Sequence, residues 1–143
     1  MATALALGPA LAHLLELPNK IGLPKDTYFT VQQIYRGWNL LGMVLMLQLL
    51  SIVAVILMAR DDRRLRILAT IALLCLAGAR VLFWIFTFPA NTATVNWTTQ
   101  PDNWETLRQH WEYSHAAGAL LQLTGMVCLV LGSLGDNRPR LSQ

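Results

Sequence analysis

With 143 residues, 55% of them hydrophobic and only 13% charged, the chain is far more apolar than a soluble domain, in which about a quarter of residues are charged. That composition points to an integral membrane protein. The net charge of +3 gives no sign of a nucleic-acid partner, because the basic residues are explained by membrane topology.

Four apolar runs follow one another. The first, residues 2–17, contains Ala10-Leu11-Ala12, which resembles a signal-peptide cleavage site. No Lys or Arg precedes it as a charged n-region requires, so the run is expected to stay as a first helix, ended by Pro18. The runs 31–58, 65–88 and 111–134 each reach the roughly 20 residues that span a bilayer. Backbone groups in lipid must be satisfied internally, so the expected fold is all-α: an integral membrane four-helix bundle forming one domain. Segments 18–30 and 89–110 are its outer loops.

Orientation follows from the basic residues. The link ARDDRRLR at residues 59–66 carries four arginines, and Arg138 and Arg140 follow the last run. Cytoplasmic loops hold such excesses, so both termini are expected inside, in a multi-pass protein of the bacterial inner membrane. Asn96-Trp97-Thr98 is a glycosylation sequon only in a eukaryotic secretory pathway. All five tryptophans, Trp38, Trp84, Trp97, Trp104 and Trp111, fall in the outer half. An anchoring belt is the plain reading, and a pocket or docking surface is the sharper one. Cys75 and Cys128 match no metal spacing and read as packing residues. Small residues recur every four positions at Ala4, Gly8 and Ala12 and again at Ser114 and Gly118, so the first and fourth helices are expected to touch there.

Ionisable residues inside a membrane are costly and are functional candidates by default. His13 and Glu16 share one face of the first helix, and Glu112 and His115 share one face of the fourth. If the faces meet, four ligand-type side chains converge, a set able to hold a divalent metal. A Glu-x-x-His pair also occurs in di-iron bundles, but those need further glutamates that the other helices lack. Without a metal, Arg80 on the third helix pairs with Glu112 or Glu16 and the histidines stay neutral. A haem held between the two histidines is a further alternative.

Finally, Phe88-Pro89-Ala90-Asn91, Asn96-Trp97, Trp104-Glu105, Leu107-Arg108, Trp111-Glu112 and His115 resemble the C-terminal half of a small four-helix membrane family of unknown function that includes the fungal anthrone oxygenases. The segments AHLLELPNKIGL and QQIYRGW are similar to bacterial members. The resemblance implies a four-helix membrane protein whose characterised relatives oxygenate the activated carbon of an anthrone to an anthraquinone, without a conventional cofactor. Asn91, Arg108, Trp111, Glu112 and His115 are the positions that match.

Such chemistry needs a base, for which His115 suits by its near-neutral pKa. Arg80 or Asn39 would stabilise an oxyanion, and Trp111 with Trp84 would stack on a flat ring. Two functions are therefore weighed. One is an enzyme or redox protein acting on a hydrophobic aromatic or quinone-like molecule. The other is a non-catalytic subunit that docks a larger membrane complex, or another copy of itself, through the Trp-rich outer loop. The first predicts an open pocket at the cluster, the second a fully paired cluster with no cavity.

Overall fold

A computed structural model describes residues 1–134, so Arg138 and Arg140 lie outside the described residues. The described chain is helical, with no strand among those residues. Helix α1 covers Ala2–Lys20, and α2 covers Lys25–Gln32 within the segment expected to be a loop. Two 3₁₀ turns, Gln33–Tyr35 and Trp38–Leu40, flank Gly37 and lead into α3, Leu41–Met58. Helix α4, Arg63–Leu82, continues through a π turn, Phe83–Thr87, into the short α5, Phe88–Ala93. Helix α6 is the longest, Trp104–Ser133.

Three of these stretches, Trp38–Met58, Arg63–Ala93 and Trp104–Ser133, are long and apolar enough to cross a membrane. Helix α1 is not among them. Its 19 residues still give a rod about 28 Å long by the helical rise. Pro18 does not end α1. It withholds only one backbone bond, and the Ile21 amide still reaches the Leu17 carbonyl at 3.0 Å.

The bundle is built on α6, which packs against both α4 and α1, while α3 packs against α1 and α4. Small residues bring α4 and α6 together. Ala69, Ala72 and Ala79 are buried on α4, and a Cβ on Gly125 of α6 would meet the Ala72 carbonyl oxygen at 3.4 Å. Helices α1 and α6 do touch, but not along the expected stripe of α1. Its buried face is Thr3, Ala6, Ala10, His13 and Lys20, whereas Ala4, Gly8 and Ala12 are exposed. Ser114 hydrogen-bonds Thr87 at 2.7 Å, and Gly118 faces Ala79, so the small residues of α6 serve the α4 side instead.

Above the bundle, α2, α5 and the turn before α6 fold into an aromatic cap. Its centre is Tyr28, Phe29, Ala90, Trp97, Leu107 and Trp111. The cap is held by a left-handed turn in which three consecutive non-glycine residues, Val95, Asn96 and Trp97, have φ of 50°, 53° and 64°. Each costs roughly 1–2 kcal/mol against the right-handed region, so the surroundings must impose it. They do so through Asn91. Its carbonyl oxygen accepts from the Asn96 amide at 2.7 Å, and its side-chain oxygen accepts from the Trp97 indole at 3.0 Å.

Candidate functional site

The polar residues of α1 and α6 converge directly beneath this cap. Lys20 ends the buried stripe of α1, seven residues beyond His13 and therefore on the same face. It is 3% exposed, and its ammonium lies 3.1 Å from Oε1 of Glu112, which is fully buried. The Tyr28 hydroxyl donates to the same carboxylate oxygen at 2.9 Å and accepts from Gln32 Nε2 at 2.6 Å. Lys20 also donates to Tyr35 at 2.8 Å, and Tyr35 donates onward to Glu16 at 2.7 Å. The rings of Tyr35 and Trp111 present their faces to the ammonium, with centroids 4.5 and 4.6 Å away. A desolvated cation gains from such faces as well as from its carboxylate.

Lys20 therefore takes the role expected of Arg80. Arg80 is half-buried and has no carboxylate within 4.0 Å among the described residues. Its loop-like setting in the sequence hid Lys20. The spacing of three and seven residues among His13, Glu16 and Lys20 is the signal that finds it. Tyr28, Gln32 and Tyr35 had no such signal, because α2 and the 3₁₀ turn place them.

The phenols of the cap respond to this crowding. Burial pushes the Tyr28 hydroxyl well above the ordinary tyrosine range, and the charge and hydrogen bond of Glu112 push it further. Tyr35 is raised chiefly by burial and next by Glu16. Both remain hydrogen-bond donors at neutral pH.

Beside the ion pair, the two imidazoles meet. The His13 and His115 ring centroids are 4.3 Å apart. Trp111 lies 4.0 Å from His115 and 5.0 Å from His13, and Tyr35 and Trp38 close the other side of His13 at 4.7 and 5.5 Å. His115 Nδ1 sits 2.8 Å from the Trp111 carbonyl oxygen, which can only accept. Nδ1 must then carry the proton, and Nε2 is the basic nitrogen of the neutral ring. His13 Nδ1 is 3.4 Å from Glu16 but makes no hydrogen bond, and Glu112 Oε2 is also buried without one.

Glu112, His13, His115 and Glu16 are thus neighbours, but not as a metal-binding quartet. Among the described residues no three of His, Cys, Asp and Glu converge as ligands. The Lys20 ammonium stands between Glu112 and Glu16, at 3.1 and 4.0 Å, where a second cation would be repelled.

The remaining expected residues divide. Asn91 joins the site from α5 as an orienting group, because its one side-chain oxygen accepts from both the Trp97 and Trp111 indoles at 3.0 Å. Arg108 ties α6 to the segment before α2 through the Leu23 carbonyl at 2.8 Å and stacks over Trp104. Trp84 is 60% exposed beside Phe83 and Phe88, outside the cluster. Asn39 is exposed at the head of α3. Both positions were expected from depth alone, and the phase of each helix turns them outward.

No residue of α3 outward of Gln48 is buried, nor is any in the two 3₁₀ turns before it. Two surface depressions lie elsewhere, one lined by Arg63 and Leu131 and the other by Met1 and Met126. No family model, curated protein or solved structure matches the chain.

Proposed function

We propose that the chain is a multi-pass protein of the bacterial inner membrane, a four-helix bundle with both termini cytoplasmic, that acts as an anthrone-oxygenase-like enzyme on a hydrophobic aromatic or quinone-like molecule. The observation that carries this reading is the state of His115. Its Nδ1 is fixed on the Trp111 carbonyl, its ring lies against the Trp111 indole, and its basic Nε2 makes no hydrogen bond among the described residues. The exposed, apolar outer half of α3 is a surface from which a lipophilic molecule would approach.

In this reaction Nε2 of His115 removes a proton from the acidic methylene of the substrate. The resulting carbanion is the reductant and adds to dioxygen, and the peroxide loses water to leave a ring carbonyl. One oxygen atom enters the product and the other leaves as water. In this reading Arg80 stabilises the developing oxyanion. The test is oxygen uptake and quinone absorbance by the purified protein over a panel of anthrones, which carry the acidic methylene the reaction needs. A positive panel with a fall of about 100-fold or more in His115→Ala supports the assignment. No turnover by the unaltered protein, or equal turnover by the variant, refutes it.

A second reading, a non-catalytic subunit, is favoured by the pairing of Lys20 with Glu112, Tyr28 with Glu112, and Tyr35 with Glu16. In that reading the cluster fastens the bundle. The outer loop is then poorly suited to docking, since its Trp97 is turned into the cap and its Trp104 packs against it. Unchanged oxygen uptake together with co-purification of a defined membrane partner would select it.

A further inference from the structure

At the end of the molecule opposite the histidine pair, α4 opens with three arginines in its first turn. The arginines of this end are not equivalent. Arg60 donates to the Leu57 carbonyl at 3.3 Å, and Arg66 donates to the Arg60 carbonyl at 3.4 Å, so both are tied to backbone. Arg63 and Arg64 are exposed and make no side-chain hydrogen bond or ion pair among the described residues, although Asp61 and Asp62 adjoin them. Asp62 is engaged instead as the helix cap, accepting from the Leu65 amide at 2.9 Å.

These two free guanidinium groups border an open groove of about 580 Å³ whose other walls are Ile67, Leu68 and Leu131. The floor is closed because α6 approaches α4 tightly there. A Cβ on Gly132 would meet Leu65 Cδ1 at 3.0 Å. Ile67 and Leu131 are 47% and 45% exposed. The groove is thus cationic at its mouth and apolar along its length, and the change falls where the arginine-rich link gives way to a membrane-crossing stretch.

We propose that this groove binds one anionic phospholipid, with its phosphate on Arg63 and Arg64 and an acyl chain along Ile67, Leu68 and Leu131. Charge complementarity selects the anion, and the apolar walls select a lipid over a free phosphate, which would leave them uncovered. The inference rests on the membrane-spanning reading of the helices and is independent of any oxygenase activity.

The experiment is native mass spectrometry of the full chain in detergent, titrated with phosphatidylglycerol, phosphatidylcholine or inorganic phosphate. Each arginine is worth roughly five-fold, so phosphatidylglycerol is expected to bind about 25-fold better than phosphatidylcholine, at one saturable site. In Arg63→Gln/Arg64→Gln the preference should vanish, the two lipids binding about equally, whereas Arg36→Gln, at the other end, should keep it. An unchanged circular-dichroism spectrum and melting point in phosphatidylcholine certify the variant; if the double variant fails that check, each single substitution must cut the preference about five-fold. Equal binding of the two lipids, a preference surviving in the variants, or displacement of the lipid by inorganic phosphate at like concentration would overturn the proposal.

Discussion

Lys20 and Glu112 form a buried ion pair at 3.1 Å between the first and last helices, and Tyr28 completes it from the cap. Removing either partner strands a charge away from water, at a cost of about 3–5 kcal/mol, while removing both leaves none stranded. Lys20→Met and Glu112→Leu should each lower the melting temperature strongly. The double substitution should cost clearly less than the sum of the two. Thermal unfolding in one detergent over the full cycle measures this, and additive losses would mean the pair is not coupled.

The Tyr28 hydroxyl gives the fold an alkaline limit. Its folded pKa is raised above the ordinary value near 10, first by burial and then by Glu112. A group raised on folding contributes stability that is complete below its unfolded pKa and is lost as pH rises toward the folded one. Stability should therefore be flat from pH 7 to about 9 and decline above about 10. Tyr28→Phe should be less stable at pH 7 and show a shallower alkaline decline. Melting curves between pH 7 and 11 decide it, and equal slopes would assign the decline to other groups.

Asn91 is the keystone of the cap, since a single oxygen serves two indoles. Asn91→Ala leaves both N–H groups without a partner and should cost about 2–4 kcal/mol. It also withdraws a restraint on the left-handed turn at Val95–Trp97. Tryptophan emission should shift to the red, and the turn should become a site of limited proteolysis. An unaltered spectrum with unaltered protease resistance would show that the turn holds itself.

Gln48 on α3 and Gln122 on α6 are buried in the bundle, and each has one side-chain atom without a hydrogen-bond partner, Nε2 of the first and Oε1 of the second. Neither side chain makes a hydrogen bond among the described residues, so these buried amides gain little from their position. Gln48→Leu should consequently be neutral or stabilising, within about 1 kcal/mol of zero. A loss of several kcal/mol in thermal unfolding would instead reveal a ligand or water held there.

The sequence displayed the parts of this molecule that the solvent dictates. Long apolar runs and the arginine-rich link are readable because a bilayer imposes length and polarity on every residue it touches. The face shared by Glu112 and His115, and by His13 and Glu16, was readable because the helical repeat is fixed. The phase of one helix against another was not. Ala4, Gly8 and Ala12 have the right spacing for a contact, yet the contact is made by the stripe ending in His13 and Lys20. Polar residues close that seam, so a search for small apolar ones misses it. The cap was hidden for another reason. Tyr28 and Glu112 are 84 positions apart, and nothing local in either segment announces the other.

That separation has a consequence for biosynthesis. When α1 leaves the ribosome, Lys20 and His13 have only Glu16 of their own helix beside them, because Glu112, Trp111 and His115 are not yet made. Until then the first helix keeps its cation solvated. Only the arrival of the last helix lets it seat. The bundle is therefore assembled by its final segment, and nascent chains stalled before residue 104 should expose α1 to quality-control proteases, whereas those stalled past the end of α6 should protect it.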